Sequence, residues 1–155
     1  MIRSASIAVL LAATPAAQAQ TQTLSAAAAE AIVTGCKAHA TAKRQSHGIA
    51  VVDAGGHLVA SLRMDGNGFG IMSFATEKAK AVAAWGFATS GMAEGAASIP
   101  GFAQAPYVVT VAGGLPIFTV EGARIGAVGI SGEAPADDVA CAEAGIRSAR
   151  LRSTR

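Results

Sequence analysis

The chain has 155 residues, enough for one ordinary domain, and its 12 basic and 10 acidic side chains give a formal net charge of only +2. This balance argues against a nucleic-acid-binding protein, because that function needs a basic face interleaved with aromatic side chains. Arginines are concentrated only at the C-terminus, where we interpret them as a solvated tail (Arg147, Arg150, Arg152 and Arg155).

The N-terminus has the pattern of a cleavable secretion signal. Arg3 provides a short positive start, and Ala5–Ala13 is an apolar stretch that is too short to span a bilayer. Ala17-Gln18-Ala19 then has the small-x-small pattern that signal peptidase requires. The alternative is an ordinary buried helix beginning at residue 1, but Pro15 would break such a helix. We therefore expect residues 1–19 to be a signal peptide.

Removal of the signal leaves residues 20–155, which is 155 − 19 = 136 residues. We expect them to form a single domain in the periplasm or outside the cell, without a membrane span, because no later apolar run is long enough. Oxidising conditions there favour a disulfide between Cys36 and Cys141, with two separate buried thiols as the alternative. A bridge closing a loop of about a hundred residues contributes roughly 4 kcal/mol in the chain-entropy model.

The first half of the mature chain predicts a helix, a β-hairpin and a second helix. Ala26–Ala42 is rich in alanine, the best helix former. The strands Ile49–Val52 and His57–Met64 flank a glycine-containing turn, and the second strand alternates between two faces. A helix from about Ile71 to Trp85 follows the hairpin.

The second half predicts a long loop, three strands and a final helix. Gly86–Pro106 has the composition of a loop that could include short helical pieces, and it is a candidate ligand-facing flap or a tolerated insertion. Strands are predicted at Tyr107–Val111, Pro116–Val120 and Arg124–Ser131, before a helix that starts near Asp137. The element order predicts an α/β (α+β) fold in which helices pack against one antiparallel sheet.

Four sequence blocks together carry a resemblance to a known family. They are Ala50–Val59 (AVVDAGGHLV), Arg63–Gly66 (RMDG), Gly113–Ile117 (GGLPI) and Ile125–Gly132 (IGAVGISG). In this order they resemble the GlcG/HbpS family, which includes exported heme-binding proteins and the C-terminal domain of PduO-type corrinoid adenosyltransferases. The resemblance covers about Leu24–Ile146. It implies a profilin-like fold with a five-stranded antiparallel sheet flanked by helices, assembly into a homo-oligomer, and binding of heme or a related tetrapyrrole.

A planar ligand that bears carboxylates needs cations, and two candidates lie in or near the matched blocks. Arg63 could pair bidentately with a propionate, with an ion pair to Asp65 or Glu77 as the alternative. Lys78 could hold a carboxylate as a point charge, or it could lie along the helix surface with its ammonium in water.

The glycine pair Gly113 and Gly114 is a third candidate for ligand contact. These residues could let a ligand approach the backbone and its N–H groups, with Pro116 stiffening the exit from the turn. The alternative is that they make a sharp turn between strands. The phosphate-binding GxxxxGK[ST] pattern is absent from the sequence.

Heme iron requires a ligand such as histidine, methionine, cysteine or tyrosine. His57 is the first candidate because it begins a strand and belongs to a matched block, and His39 on the first helix is the second. A surface or hydrogen-bonded role is the alternative for each. The remaining imidazole and the thioethers of the mature chain complete the set of possible ligands (His47, Met64, Met72 and Met92).

Two functions of other classes stay open. A small exported enzyme acting on a hydroxy- or oxo-acid could use Asp53, Lys78 or Arg63 around the turn at Gly113 and Gly114, although no Cys-x-x-Cys, His-Glu-x-x-His or Gly-x-Ser-x-Gly motif is present. An interaction domain without a small ligand is the other possibility. A pocket converging on those side chains would favour the enzyme, and a flat apolar slot would favour heme.

Overall fold

The computed structural model describes residues 22–155, so the predicted signal at residues 1–19 lies outside the described part. Four α-helices, four strands and one short 3₁₀ turn follow each other in this part of the chain. They are α1 (Ala26–Lys43), β1 (Gly48–Asp53), β2 (Leu58–Arg63), α2 (Phe69–Trp85), α3 (Thr89–Ser98), the 3₁₀ turn (Phe102–Gln104), β3 (Gly114–Phe118), β4 (Arg124–Ser131) and α4 (Pro135–Ser148). None of these helices is long and apolar enough to cross a membrane.

The strands form one antiparallel sheet in the order β2-β1-β4-β3. Gly48 at the start of β1 lies between Arg63 of β2 and Ser131 of β4, which fixes the register across three strands. Helices pack on both faces, as the α+β prediction requires. The sheet of the described chain has four strands, however, so the prediction of five is wrong.

The predicted strand Tyr107–Val111 is the one that does not form. Ile130 of β4 donates its backbone N–H to the carbonyl of Gly113 at 2.9 Å, one residue before β3 begins. β4 ends at Ser131, and the chain turns away at Gly132, which has a φ of +142°. The residues before Gly113 therefore have no strand beside them. The predicted loop Gly86–Pro106 contains α3 and the 3₁₀ turn, which are helical pieces of the kind that its sequence allowed.

The two faces of the sheet carry side chains of different sizes. Isoleucine and valine side chains on one face pack against α1 and α4 (Ile49, Val51, Val128 and Ile130). The other face presents Ala50, Val52 and Ala127 to α2. Gly129 belongs to this second face, and a Cβ placed on it would collide with the backbone of Ala75 and Ala79 in α2. This face with small side chains, which we call the small face, thus brings α2 into direct backbone contact with β4.

The variant Gly129→Ala tests this close approach. We expect it to lower the free energy of unfolding by about 1–3 kcal/mol, because backbone atoms cannot rotate away from the added methyl group as a side chain can. Urea denaturation measures the loss. Gly70→Ala in α2 is the matched control, since an added Cβ there meets nothing within 4 Å, and alanine favours helices. A loss in Gly70→Ala equal to that in Gly129→Ala would contradict the argument.

A disulfide joins α1 to α4 on the sheet face that carries the isoleucine and valine side chains. Cys36 and Cys141 are bonded, with their Cα atoms 4.7 Å apart, which confirms the predicted pairing. The helices run antiparallel, and Gly145 lets them approach closely, because a Cβ there would lie 2.5 Å from the carbonyl oxygen of Ile32. Ser148 also donates its hydroxyl to the carbonyl of Ala31 at 2.7 Å. The disulfide therefore lies in the middle of a close helix pair.

Candidate functional site

An open cleft of about 440 Å³ lies between the start of α2 and the end of the edge strand β2. α2 packs mainly over β1 and β4, so the adjacent part of β2 is left open. The cleft is lined by apolar, hydroxyl and charged side chains (Arg63, Phe69, Met72, Ser73, Thr76, Glu77 and Lys80). Its volume is within the range of small-molecule sites.

The apolar wall of the cleft comes from the first turn of α2. Phe69 is 85% exposed, more than any other large hydrophobic side chain in residues 22–155. Met72, three residues later, is half-buried and packs against the small face of the sheet. Residues three apart on a helix lie on the same side, so the ring and the thioether form one surface. An exposed aromatic ring beside a half-buried methionine suits an apolar ligand.

Two cations border this wall. Arg63 projects from the end of β2, and its guanidinium donates a hydrogen bond to the carbonyl of Asn67. Lys80 lies 3.3 Å from Glu77, and both side chains are well exposed, so this pair contributes little to stability. Within the described chain Arg63 forms no ion pair with Asp65 or Glu77, the alternative that the sequence left open. Its remaining N–H groups are free to receive an anionic ligand.

Lys78 does not line the cleft, because its side chain is buried in the interior. The ammonium donates to Asp138 Oδ2 at 2.9 Å and to the carbonyl of Ile130 at 2.8 Å. A Cβ on Gly113 would lie 2.7 Å from the Lys78 Nζ, so the glycine makes room for the ammonium. The carboxylate that Lys78 holds is therefore the chain's own Asp138, and the charge of the ammonium is paired within the fold.

His47 completes this buried cluster. Its Nδ1 lies 3.1 Å from Asp138 Oδ1, and neither side chain is accessible to solvent. The other ring nitrogen of His47, Nε2, is buried without a hydrogen-bond partner. We call His47, Lys78 and Asp138 the buried ion cluster. The sequence did not reveal it, because its members are separated by 60 and 91 residues and no local pattern links them.

The glycine pair lies beside this cluster, and neither the pair nor Pro116 lines the cleft. The backbone N–H of Gly114 donates to the buried hydroxyl of Thr89 at 3.0 Å, so it is already occupied. The carbonyl of Gly113 accepts from Ile130. Pro116 pairs with Ala127 in β3, an outer strand, where a residue without an N–H is tolerated.

The structure does not bring either predicted histidine to Arg63. His57 precedes β2, whereas Arg63 ends it, so the length of a six-residue strand separates them, roughly 20 Å. The ring of His57 is exposed and lies 3.2 Å from Asp53. The backbone N–H of His57 also donates to Asp53, and this hydrogen bond lowers the pKa of the carboxyl group. His39 lies on α1, which packs against the opposite sheet face from α2.

The groups required by the enzyme hypothesis do not converge either. Asp53 of β1 pairs with Gly126 of β4. The Lys78 ammonium binds the carbonyl of Ile130, which lies four residues further along β4. Arg63 is exposed in the cleft, whereas Lys78 is buried. The three side chains are thus held in separate environments.

Comparison with known proteins identifies the family to which the chain belongs. The family described as haem degrading protein HbpS-like matches residues 24–147. The chain belongs to the HbpS-like family. This confirms the resemblance predicted from the four sequence blocks. Protein GlcG of Escherichia coli (strain K12) is 37% identical over 109 residues, which cover 70% of this chain and 81% of GlcG.

Solved structures of the HbpS-like fold superpose on most of the chain. A double mutant of HbpS from Streptomyces reticuli has a TM-score of 0.75 and 29% identity, covering 91% of this chain and 97% of its own. A PduOC:heme complex has a TM-score of 0.77 and 22% identity, covering 86% and 100%. The Klebsiella pneumoniae protein ORFY has a TM-score of 0.79 and 24% identity, covering 89% and 98%. The last two establish similarity of fold alone.

Proposed function

We propose that this protein binds heme or a related tetrapyrrole in the cleft between β2 and α2. The observation that carries the proposal is the combination, in one cleft of about 440 Å³, of an apolar wall and two cations. A tetrapyrrole has a flat apolar ring and carboxylates at its rim, so it needs both kinds of surface. Phe69 and Met72 would contact the ring, and Arg63 and Lys80 would receive the carboxylates.

The cleft also contains a side chain that could ligate iron. Of the side chains that commonly ligate heme iron, Met72 is the one that lines this cleft. Bound heme would supply an iron centre whose properties depend on such an axial ligand. We propose the Met72 thioether for this role. His57 and His39 remain proposals for iron ligation elsewhere on the surface, and the same titration tests them.

The comparisons support the ligand class. The family description refers to heme degradation, and the PduOC structure is a heme complex. We further propose that the mature chain is periplasmic or secreted, supported by the signal pattern at residues 1–19 and by the disulfide. We also propose that it forms a homo-oligomer, as the family resemblance implies.

Titration with hemin and with iron-free protoporphyrin IX tests the site. Arg63→Ala is expected to weaken binding of both compounds about tenfold or more, because each loses a charge-assisted hydrogen bond to a carboxylate. Met72→Leu keeps the apolar wall and removes the sulfur, so it is expected to weaken hemin binding while leaving protoporphyrin binding unchanged. Absorbance and tryptophan fluorescence report the two titrations.

Arg147→Ala is the matched control, since this exposed arginine lies on α4, on the other face of the sheet. It should bind both compounds as the wild type does. Failure of the wild type to shift the hemin absorption band would refute heme binding. Equal binding by Arg63→Ala and the wild type would place the ligand outside this cleft. Weaker hemin binding by His57→Ala or His39→Ala would then identify the region that binds it.

A further inference from the structure

A second open cleft, of about 390 Å³, lies between the C-terminal end of α1 and the end of β2. Four of the residues that line it are charged, namely Lys37, Arg44, Arg63 and Asp65. Three cations and one carboxylate leave a formal charge of +2, and we call this cleft the basic cleft. Arg63 also lines the cleft between β2 and α2, whereas the other three do not.

The charges of the basic cleft are not neutralised within the described chain. None of the four side chains forms an ion pair with another residue of 22–155. Arg63 donates to a backbone carbonyl, which leaves its charge uncompensated. A cleft lined mainly by charges of one sign concentrates the electric field and attracts ions of the opposite sign. The basic cleft therefore attracts an anion.

Arg44 adopts a backbone conformation that arginine disfavours. It caps the C-terminal end of α1 in the left-handed region, with a φ of +59° and a ψ of +38°. Glycine usually occupies such a position, because any Cβ is strained there. The chain follows this rule at the end of α2, where the cap is Gly86 with a φ of +83°. Capping of α1 therefore does not explain the arginine, and the strain points to a function of its side chain.

The residue after Arg44 provides a hydrogen-bond acceptor. Gln45 lines the basic cleft, and its side-chain oxygen Oε1 is buried without a hydrogen-bond partner in residues 22–155. Buried side-chain oxygens in folded proteins nearly always accept a hydrogen bond. A ligand that completes this site therefore carries an O–H donor in addition to its negative charge.

We propose that the basic cleft binds a phosphate dianion, either free hydrogen phosphate or the phosphate of a small polyol monoester. A phosphate monoester carries a charge of about −1.5 to −2 at pH 7, which matches the cleft better than a single carboxylate does. Guanidinium groups pair with phosphate through two parallel hydrogen bonds, and an ammonium adds a point charge. Hydrogen phosphate and a polyol ester both carry an O–H that can donate to Gln45. The site is separate from the heme proposal.

Isothermal titration calorimetry with inorganic phosphate and with glycerol phosphate tests the site in the heme-free protein. All titrations are made at one ionic strength, so that screening is equal. At least one compound should bind with a dissociation constant of about 1 mM or below. Tighter binding of glycerol phosphate would identify the ester as the ligand, and equal or weaker binding would identify the free ion. Sulfate is also a dianion but lacks an O–H, so it should bind about tenfold more weakly than the better phosphate compound.

The variant Arg44→Gly separates phosphate binding from folding. It should weaken phosphate binding about tenfold or more, because a charge-assisted pair is lost. It should also unfold at an equal or higher urea concentration than the wild type, because glycine relieves the strained cap. Lys43→Ala is the matched control, since this exposed cation precedes Arg44 on α1 and does not line the basic cleft. It should bind phosphate as the wild type does.

Four results would overturn the inference. The first is a wild type that binds neither phosphate compound, and the second is sulfate binding as tight as phosphate binding. Equal losses in Arg44→Gly and Lys43→Ala would indicate unspecific attraction to α1. Lower stability of Arg44→Gly than of the wild type would show that the fold itself requires the arginine. Neither Arg44 nor Lys43 lines the cleft between β2 and α2, so these failures are separable from failure of the hemin titration.

Discussion

Asp138→Asn is expected to lower the free energy of unfolding by about 3–5 kcal/mol. The substitution preserves the shape of the side chain and removes its charge, which leaves the Lys78 ammonium buried without a counter-ion. The hydrogen bond from His47 Nδ1 also loses its charged acceptor. Such a loss is a large share of the 5–15 kcal/mol that stabilises a typical domain. Chemical denaturation followed by circular dichroism measures it.

Two further variants make this prediction specific. Asp137→Asn removes the neighbouring carboxylate on the first turn of α4, which is only half-buried, and should lower the free energy of unfolding by about 1 kcal/mol or less. The double variant Lys78→Met/Asp138→Asn removes both charges and should be more stable than Asp138→Asn alone. If Asp137→Asn and Asp138→Asn lowered the free energy of unfolding equally, the buried ion cluster would not stabilise the fold in the way described.

Removing the disulfide is expected to lower the free energy of unfolding by about 3–5 kcal/mol. The bond closes a loop spanning 105 residues, and in the chain-entropy model a loop of about 100 residues corresponds to roughly 4.7 kcal/mol. The double variant Cys36→Ala/Cys141→Ala avoids leaving an unpaired thiol in the tightly packed helix pair. Guanidinium denaturation of the two proteins measures the difference.

Reduction provides the control. A thiol reductant should lower the stability of the wild type toward that of the double variant, and it should leave the double variant unchanged. Denatured, unreduced wild type should contain no free thiol. Identical denaturation midpoints for the wild type and the double variant would show that the close helix packing alone determines the stability.

Local patterns predicted much of the fold. The hairpin was recognisable from its alternating residues and its glycine turn, and α1 from its alanine content. Tyr107–Val111 was misassigned because strand propensity describes a side chain's suitability for a sheet and not whether a neighbouring strand exists. In this protein β4 ends too early to pair with it. α3 was expected only as a short helical piece within a loop, because its glycines and its single charge resemble those of a loop.

The candidate site was predicted only in part, for a related reason. Arg63 was recognisable from its position at the end of an alternating strand, and the structure places it in the cleft. Lys78 has the same charge, but its helix turns it toward Asp138, 60 residues away. Met72 was named only among the possible iron ligands and not placed in a site, because helical spacing does not show where the sheet beneath a helix ends. Which side of α2 is covered by the sheet depends on tertiary packing.

The end of the chain bears on how the protein should be handled. Arg152 exchanges two backbone hydrogen bonds with Phe118, at 2.8 and 2.9 Å, and so covers part of the outer edge of β3. Trypsin-like proteases cleave after arginine, and Arg150 lies exposed just before this bridge. A single cut there would release the covering residues and leave an uncovered strand edge, which promotes aggregation. Preparations should therefore be checked by intact mass before their assembly state is interpreted.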